Sequence, residues 1–238
     1  MGLIYANMRI GVALSSSQGA SSMDKDQPVC LCIGIAGGSG AGKSTFTSLL
    51  VGHLADLQPT VLHQDRYFRD WSELPETERA ARRTVNAPEG LAWPAFLERV
   101  QALRVGEAVT EPAPGTRLRA RQAEASQVAP SAVLIIEGLF ALWHPELRAL
   151  LDLGVYLDVP NDERLLRRLL RDVTERGGDL ERAAAWYRQD VLPNYSVYTG
   201  ASRQHADFLI PWTRRNSLAV TVVADWIRGE LARRRATR

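Results

Sequence analysis

Eight consecutive residues at 37–44, Gly-Gly-Ser-Gly-Ala-Gly-Lys-Ser, have the composition and spacing of a phosphate-binding loop. Glycines let backbone N–H groups turn toward phosphate oxygens, and the helix predicted to follow adds partial positive charge at its N-terminus. The only lysines of the chain are Lys25 and Lys43, while the other 27 of its 29 Lys and Arg residues are arginine. A lysine in this loop predicts contact with the β- and γ-phosphates of a nucleotide, and the Ser44 hydroxyl is suited to Mg²⁺.

Two carboxylates follow apolar segments that read as strands. Asp65 comes just after the segment 60–63, and Glu137 directly follows the apolar run 132–136. Open α/β sheets hold ligands at the carboxyl ends of their strands, so both side chains are candidates for the same site. Asp65 is either a base that orients an acceptor hydroxyl or the cap of a turn. Glu137 is expected to orient Mg²⁺ or its water, because a buried carboxylate without a partner is costly.

Arginines are dense between residues 161 and 176. Arg164, Arg168 and Arg171 share one face of a predicted helix, and guanidinium groups suit phosphate binding. Solvent-exposed charges of small energetic effect are the alternative interpretation. Because Gly177 and Gly178 follow directly, the segment 164–180 is predicted to be a mobile, arginine-rich lid.

The elements that must position these side chains alternate between strand and helix along the chain. Such alternation favours an α/β fold with a mostly parallel five-stranded sheet and helices on both faces. Residues 109–110 and 117–119 are predicted to pair as a short hairpin, with a disordered loop as the alternative. The final helix is predicted to begin after Asn216. Its apolar face is predicted to consist of Leu218, Val222, Val223, Trp226, Ile227 and Leu231.

Composition limits the possible functions. The chain has 238 residues and a formal net charge of +2, so it lacks the strongly basic character of many nucleic-acid-binding proteins. No apolar run approaches the length that spans a membrane. Cys30 and Cys32 are the only cysteines, and as reduced core residues they favour a cytoplasmic protein. Residues 1–27 include a serine-rich, low-complexity stretch and are predicted to form a flexible tail.

Four of these segments together resemble the uridine–cytidine kinases, within the phosphoribulokinase/uridine kinase group of P-loop kinases. They are residues 35–44, 64–68, 136–138 and 171–181, and residues 206–211 are also similar to the last strand of that family. The resemblance implies a P-loop NTPase three-layer fold over residues 28–238. It also implies an insertion on the substrate side at 106–130, and ATP-dependent phosphorylation of a sugar 5′-hydroxyl.

The resemblance also implies roles for individual residues. Asp65, Lys43, Arg171 and Arg176 would be catalytic, and Ser44, Asp65 and Glu137 would hold Mg²⁺. Asp65, Tyr67, Asn86 and Arg168 would bind the acceptor. The nucleotide would lie on Gly37, Gly38, Ser39, Gly40, Ala41, Gly42, Lys43, Ser44 and Thr45.

The sequence differs from the family pattern at positions where the family binds the acceptor. Asn86 stands where the family usually has an Asp for the ribose hydroxyls, and the segment 111–121 contains no aromatic residue or His. Gly178 replaces a second lid arginine, and Trp186 stands where a Gln is expected. Arg117, Arg119 and Arg121 are either binding residues for an anionic acceptor or ordinary surface charges.

Three functions therefore remain open. The first is a kinase of uridine or cytidine, and the second is a kinase of another ribosyl or sugar acceptor, such as nicotinamide riboside or a sugar phosphate. The third is a regulatory module that binds ATP without catalysis, although the presence of both Asp65 and Glu137 argues against it. The resemblance further implies a homo-oligomer, with a small molecule as its partner.

Overall fold

The computed structural model describes residues 30–82, 84–121 and 123–237, so the tail predicted for residues 1–27 lies outside the described residues. The centre of the structure is a five-stranded parallel sheet. The three central strands are buried along nearly their whole length, as expected for parallel strands that are covered on both faces. The strands, in order from one edge of the sheet to the other, are β2 (Thr60–His63), β5 (Val133–Glu137), β1 (Leu31–Ala36), β6 (Leu153–Asp158) and β7 (Phe208–Pro211).

Helices cover both faces of this sheet, which confirms the predicted three-layer fold. Side chains alternate along β1: Leu31 and Ile33 face a core with Phe46, whereas Cys32 faces a second core with Phe96. The first core lies against helices α1 (Lys43–His53) and α9 (Ser217–Ala236), and the second against α3 (Trp93–Arg104) and α5 (Pro145–Leu150). The longer helices are α1 (Lys43–His53), α2 (Glu76–Arg82), α3 (Trp93–Arg104), α5 (Pro145–Leu150), α6 (Asn161–Leu170), α7 (Leu180–Trp186) and α9 (Ser217–Ala236).

The helical stretch after Asp179 is long but irregular. Asp179 caps α7 by accepting a hydrogen bond from the backbone N–H of Arg182. The chain then passes through a π-helical turn at Tyr187–Val191, the short helix α8 (Leu192–Asn194) and a second π-helical turn at Tyr195–Thr199.

The hairpin predicted within residues 109–119 is wrong. Strand β3 (Val109–Glu111) pairs with β4 (Ser126–Val128) in an antiparallel manner, and the intervening chain forms the short helix α4 (Arg117–Ala120). Thr116 caps this helix through its side chain, which explains why residues 117–119 do not extend as a strand.

The predicted apolar face of α9 is partly wrong. Asn216 does cap the helix, but Leu218 and Val222 are 73% and 50% exposed. The buried residues are Val220, Val223, Ala224, Ile227 and Leu231. These buried residues lie along one face of the helix. Because α9 also carries apolar residues outside this face, the sequence alone does not show which of them are buried. Among the described helices, none is long and apolar enough to cross a membrane.

Candidate active site

The phosphate-binding loop connects the end of β1 to the start of α1. Gly40 and Gly42 have φ values of 80° and 81°, a conformation that residues with a side chain rarely adopt. A Cβ atom on Gly40 would lie 2.4 Å from the backbone oxygen of Arg164, so space as well as conformation requires glycine there. This close packing against α6 holds the loop at the carboxyl edge of the sheet.

Lys43 bends back over the loop. Its Nζ donates hydrogen bonds to the carbonyl oxygens of Gly37 at 3.1 Å and Gly38 at 3.4 Å. Burial lowers the pKa of Lys43, and the negative charges of Asp65 and Glu137 act in the opposite direction. The ammonium group therefore lies between the loop and two carboxylates, where a phosphate would be attracted to it.

Glu137 ends β5 beside the loop and is largely buried. Its Oε1 accepts a hydrogen bond from Ser44 Oγ at 3.0 Å, and its Oε2 lies 2.9 Å from His63 Nδ1. Burial acts to raise the pKa of Glu137. The hydrogen bond to His63, the charge of Lys43 and the hydrogen bond from Ser44 outweigh this effect, so the pKa of Glu137 lies below its ordinary value. A carboxylate beside a hydroxyl supplies the hard oxygen ligands that Mg²⁺ prefers, so these side chains fit the ion.

Asp65 follows β2 in a short 3₁₀ turn, Gln64–Tyr67, and is exposed. The buried Gln64 anchors this turn, because its Oε1 accepts the backbone N–H of Phe140 at 2.8 Å. Gly138 leaves room for Gln64, since a Cβ atom there would lie 2.3 Å from Gln64 Oε1. This contact was not predicted, although both residues belong to the segments 64–68 and 136–138 that resemble the family.

One cleft of about 540 Å³ brings together most of the predicted site. Of the loop residues, Gly37, Gly38 and Ala41 do not line it, and Ala41 is buried in the core instead. Phe68 and Arg167 also line the cleft and were not predicted as site residues. The predicted residues that line the cleft are Ser39, Gly40, Gly42, Lys43, Ser44, Thr45, Asp65, Asn86, Glu137, Arg168, Arg171 and Arg176.

Three of the predicted lid arginines gather around one carboxylate. Asp172 lies 3.3 Å from Arg168 Nε, 3.1 Å from Arg171 Nη2 and 3.2 Å from Arg176 Nη1. Arg168 also donates to Ser39 Oγ at 2.7 Å, which connects α6 to the phosphate-binding loop. The cleft is thus strongly positive on this side.

Arg164 does not join the other arginines in the cleft, in contrast to the shared helical face that was predicted. It is 1% exposed and lies beneath the loop, close to Gly38. Its Nε donates to the carbonyl of Val159 at 3.2 Å, and its guanidinium carbon lies 3.8 Å from the centroid of the Tyr195 ring. Since α6 turns this side chain inward, Arg164 supports the loop from below.

Tyr67 lies in the core and not in the cleft where the acceptor was expected. Its hydroxyl donates to Glu111, and its ring packs edge-on against Phe96 at a centroid distance of 4.7 Å. Burial and the bond to Glu111 both raise the pKa of Tyr67. In the tight turn that carries Asp65, adjacent side chains point in different directions, so Phe68 reaches the cleft and Tyr67 does not.

Comparison with known proteins places the chain among kinases. The chain is 34% identical over 213 residues to the uridine kinase of Oceanobacillus iheyensis, which covers 89% of this chain and 99% of that protein. A protein described as a candidate fructose transport system kinase from Silicibacter sp. TM1040 has a similar structure, with a TM-score of 0.61 and 27% identity over 79% of this chain and 93% of that one.

The fold is also that of phosphoribulokinase from Rhodobacter spheroides, with a TM-score of 0.56 at 14% identity, covering 75% of this chain and 68% of that one. The sequence pattern of the phosphoribulokinase/uridine kinase family matches residues 32–219, which include the phosphate-binding loop, Asp65, Glu137 and the lid arginines. The protein therefore belongs to the phosphoribulokinase/uridine kinase family and is a phosphotransferase that acts on a hydroxyl group.

Proposed function

We propose that the protein transfers the γ-phosphate of ATP to the 5′-hydroxyl of a nucleoside, with uridine or cytidine as the acceptor. The observation that carries this proposal is that Lys43, Ser44, Glu137 and Asp65 lie in one cleft. These residues follow the ends of three different strands. Transfer of a phosphate group to an alcohol requires that the residues binding the donor and the residue binding the alcohol line the same cleft. The curated relative named above is a uridine kinase, which supports the choice of acceptor.

Each group has a distinct task in this proposal. The loop and Lys43 bind the triphosphate, and Arg168, Arg171 and Arg176 neutralise the charge of the transferred group. Ser44 and Glu137 would hold Mg²⁺, with Asp65 as a further oxygen donor. When bound, the ion neutralises charge on the β- and γ-phosphate oxygens. Asp65 orients the acceptor hydroxyl and accepts its proton, since it is exposed in the same cleft.

Replacement of Asp65 by Asn tests this assignment. We expect turnover to fall by roughly 10²–10⁴-fold while ATP still binds, because an amide keeps the shape but cannot accept the proton. ADP release with uridine measures turnover, and thermal stabilisation by ATP measures binding. Asp56→Asn is a matched control, because Asp56 is an exposed partner of Arg228 near the opposite end of α1. Unchanged turnover of Asp65→Asn would show that Asp65 only caps the turn and takes no part in catalysis.

A second acceptor class is supported by a neighbouring cavity of about 430 Å³. Arg79, Arg117 and Arg121 line it together with Trp71 and Trp186, and Arg117 also lies over the ring of Phe68 at the wall of the cleft. Cationic and aromatic side chains in one cavity suit an acceptor with an anionic group, such as a sugar phosphate.

A panel of acceptors separates the two possibilities. ADP release is measured with uridine, cytidine, nicotinamide riboside and a sugar phosphate. Turnover of uridine or cytidine supports the first proposal, whereas turnover of the sugar phosphate alone, abolished in Arg121→Gln, supports the second. The homo-oligomer implied by the family stays a prediction, which light scattering can test.

A further inference from the structure

Two buried polar side chains from distant parts of the chain meet at the wall of the cleft. Asn86 is 5% exposed and lines the cleft, and Asp190, in the π-helical turn after α7, is 8% exposed. Asn86 Nδ2 donates a hydrogen bond to Asp190 Oδ2. They are 104 residues apart in the chain, so this contact is made only by the tertiary fold.

Asp190 is itself held in place. Asn194 Nδ2 donates to the carbonyl oxygen of Asp190 at 2.8 Å and to its Oδ1 at 3.2 Å. The positive charge of Arg168 interacts favourably with Asp190, and Arg168 in turn binds Ser39 of the phosphate-binding loop. The carboxylate therefore interacts with two residues that line the cleft, Asn86 and Arg168.

The chemistry of the pair determines which way Asn86 faces. An ionised carboxylate only accepts hydrogen bonds, so the NH₂ group of Asn86 must point toward Asp190. Its carbonyl Oδ1 is then the atom directed away from Asp190 and available to the cleft. A freely rotating amide could present either its NH₂ group or its carbonyl oxygen to the cleft. The hydrogen bond to Asp190 fixes the amide with its carbonyl oxygen toward the cleft.

We propose that Asp190 is a positioning residue that fixes the amide of Asn86, so that Asn86 Oδ1 accepts a hydrogen bond from a ring hydroxyl of the acceptor. This inference rests on the proposed function, because it requires an acceptor with such a hydroxyl. In this proposal Asn86 contacts the hydroxyl and Asp190 holds Asn86 in the required orientation.

The first test restores the residue expected from the family. We expect Asn86→Asp alone to lower kcat/KM for the acceptor about 10- to 100-fold, because two carboxylates would then face each other in a buried site. The exchange Asn86→Asp with Asp190→Asn keeps one amide and one carboxylate. We expect it to recover kcat/KM to within about threefold of the wild type.

The second test measures recognition of the hydroxyl directly. The ratio of kcat/KM for uridine to that for 2′-deoxyuridine and 3′-deoxyuridine is determined for the wild type and for Asp190→Asn. We expect the wild type to prefer uridine over one of the deoxy compounds by about 10- to 100-fold, because the missing hydroxyl leaves Asn86 Oδ1 without its hydrogen bond. In Asp190→Asn the ratio should fall below about fivefold through a higher KM for uridine, with kcat within about threefold.

Asp152→Asn is the matched control for lost stability. Asp152 accepts the backbone N–H of Cys32 at 2.8 Å and pairs with Arg234 at 2.7 Å, at the amino ends of the strands and therefore away from the cleft. Melting temperatures are recorded for every variant. We expect Asp152→Asn to lower the melting temperature without changing the ratio for the deoxy compounds.

The outcomes separate the two proposals. If Asp190→Asn lowers the melting temperature as Asp152→Asn does but keeps the wild-type ratio, Asp190 is only structural and this inference is overturned. An exchange variant that folds but is no better than Asn86→Asp overturns it as well. A wild-type protein that phosphorylates no hydroxyl acceptor overturns the proposed function together with this inference.

Discussion

Single residues in this protein are constrained by their neighbours in space as much as by their own chemistry. Gly40 illustrates this, because its positive φ and the backbone oxygen of Arg164 both exclude a side chain. The motif pattern predicts a glycine-rich loop but does not say which glycine is limited by packing. That limit comes from Arg164, which lies more than a hundred residues away and supports the loop from below.

Gly40→Ala and Gly115→Ala separate backbone strain from steric overlap. Gly115 has a φ of 73°, similar to Gly40, but nothing lies within 4 Å of a Cβ atom placed there. We expect Gly115→Ala to lower the free energy of unfolding by about 1 kcal/mol through strain alone. Gly40→Ala should lower it by about 2–4 kcal/mol, because overpacking adds to the strain.

Denaturant unfolding measures both effects, and ATP binding is measured on the same variants. Gly40→Ala should weaken ATP binding, whereas Gly115→Ala should not. Equal losses of stability in the two variants would show that the backbone at Arg164 shifts to accommodate the added methyl group, and that close packing does not hold the loop in place.

At the scale of elements, hydrophobic periodicity identified the helices more reliably than their buried faces. Helix α9 begins after Asn216, as predicted, yet the side chains that it buries are shifted from the predicted set. Ile227 is fully buried in the core on the α1 side of the sheet, and Val222 on the same helix is 50% exposed. Burial therefore depends on how α9 is rotated against the sheet, and the sequence of α9 alone leaves that rotation open.

Ile227→Ala and Val222→Ala test this orientation. We expect Ile227→Ala to lower the free energy of unfolding by about 2–5 kcal/mol, because it removes packed methyl groups and leaves a cavity. Val222→Ala should change it by no more than about 0.5 kcal/mol, as for other exposed positions. Thermal or urea unfolding gives both values, and a large effect of Val222→Ala would place that residue in a contact.

At the scale of the whole molecule, the parallel sheet creates the site. Successive strands of a parallel sheet end at the same edge, so the loop after β1, Asp65 after β2 and Glu137 at the end of β5 meet there. After β6, helix α6 brings Arg167 and Arg168 to the same cleft. Because these groups come from separate segments of the chain, we expect nucleotide binding in the cleft to depend on the folded state.

Ligand binding should accordingly stabilise the whole molecule. At a concentration of ATP with magnesium 100 times its Kd, we expect the free energy of unfolding to rise by about 2.7 kcal/mol. Lys43→Ala should remove most of this stabilisation, because Lys43 is the cation of the loop, whereas Asp65→Asn should keep it. A thermal shift titration measures the effect, and an equal shift in Lys43→Ala would show that the triphosphate binds elsewhere.

The sequence by itself determined the five strands of the parallel sheet, the glycine-rich loop, the carboxylates at positions 65 and 137 and the family. These features depend on local patterns, in which residue type, spacing and apolar runs are visible along the chain. The tertiary structure alone decided that Tyr67 lies in the core, that Arg164 lies beneath the loop and that Asn86 pairs with Asp190. Each of these depends on contacts between segments distant in the chain, and the direction of a side chain is set there by the packing that surrounds it.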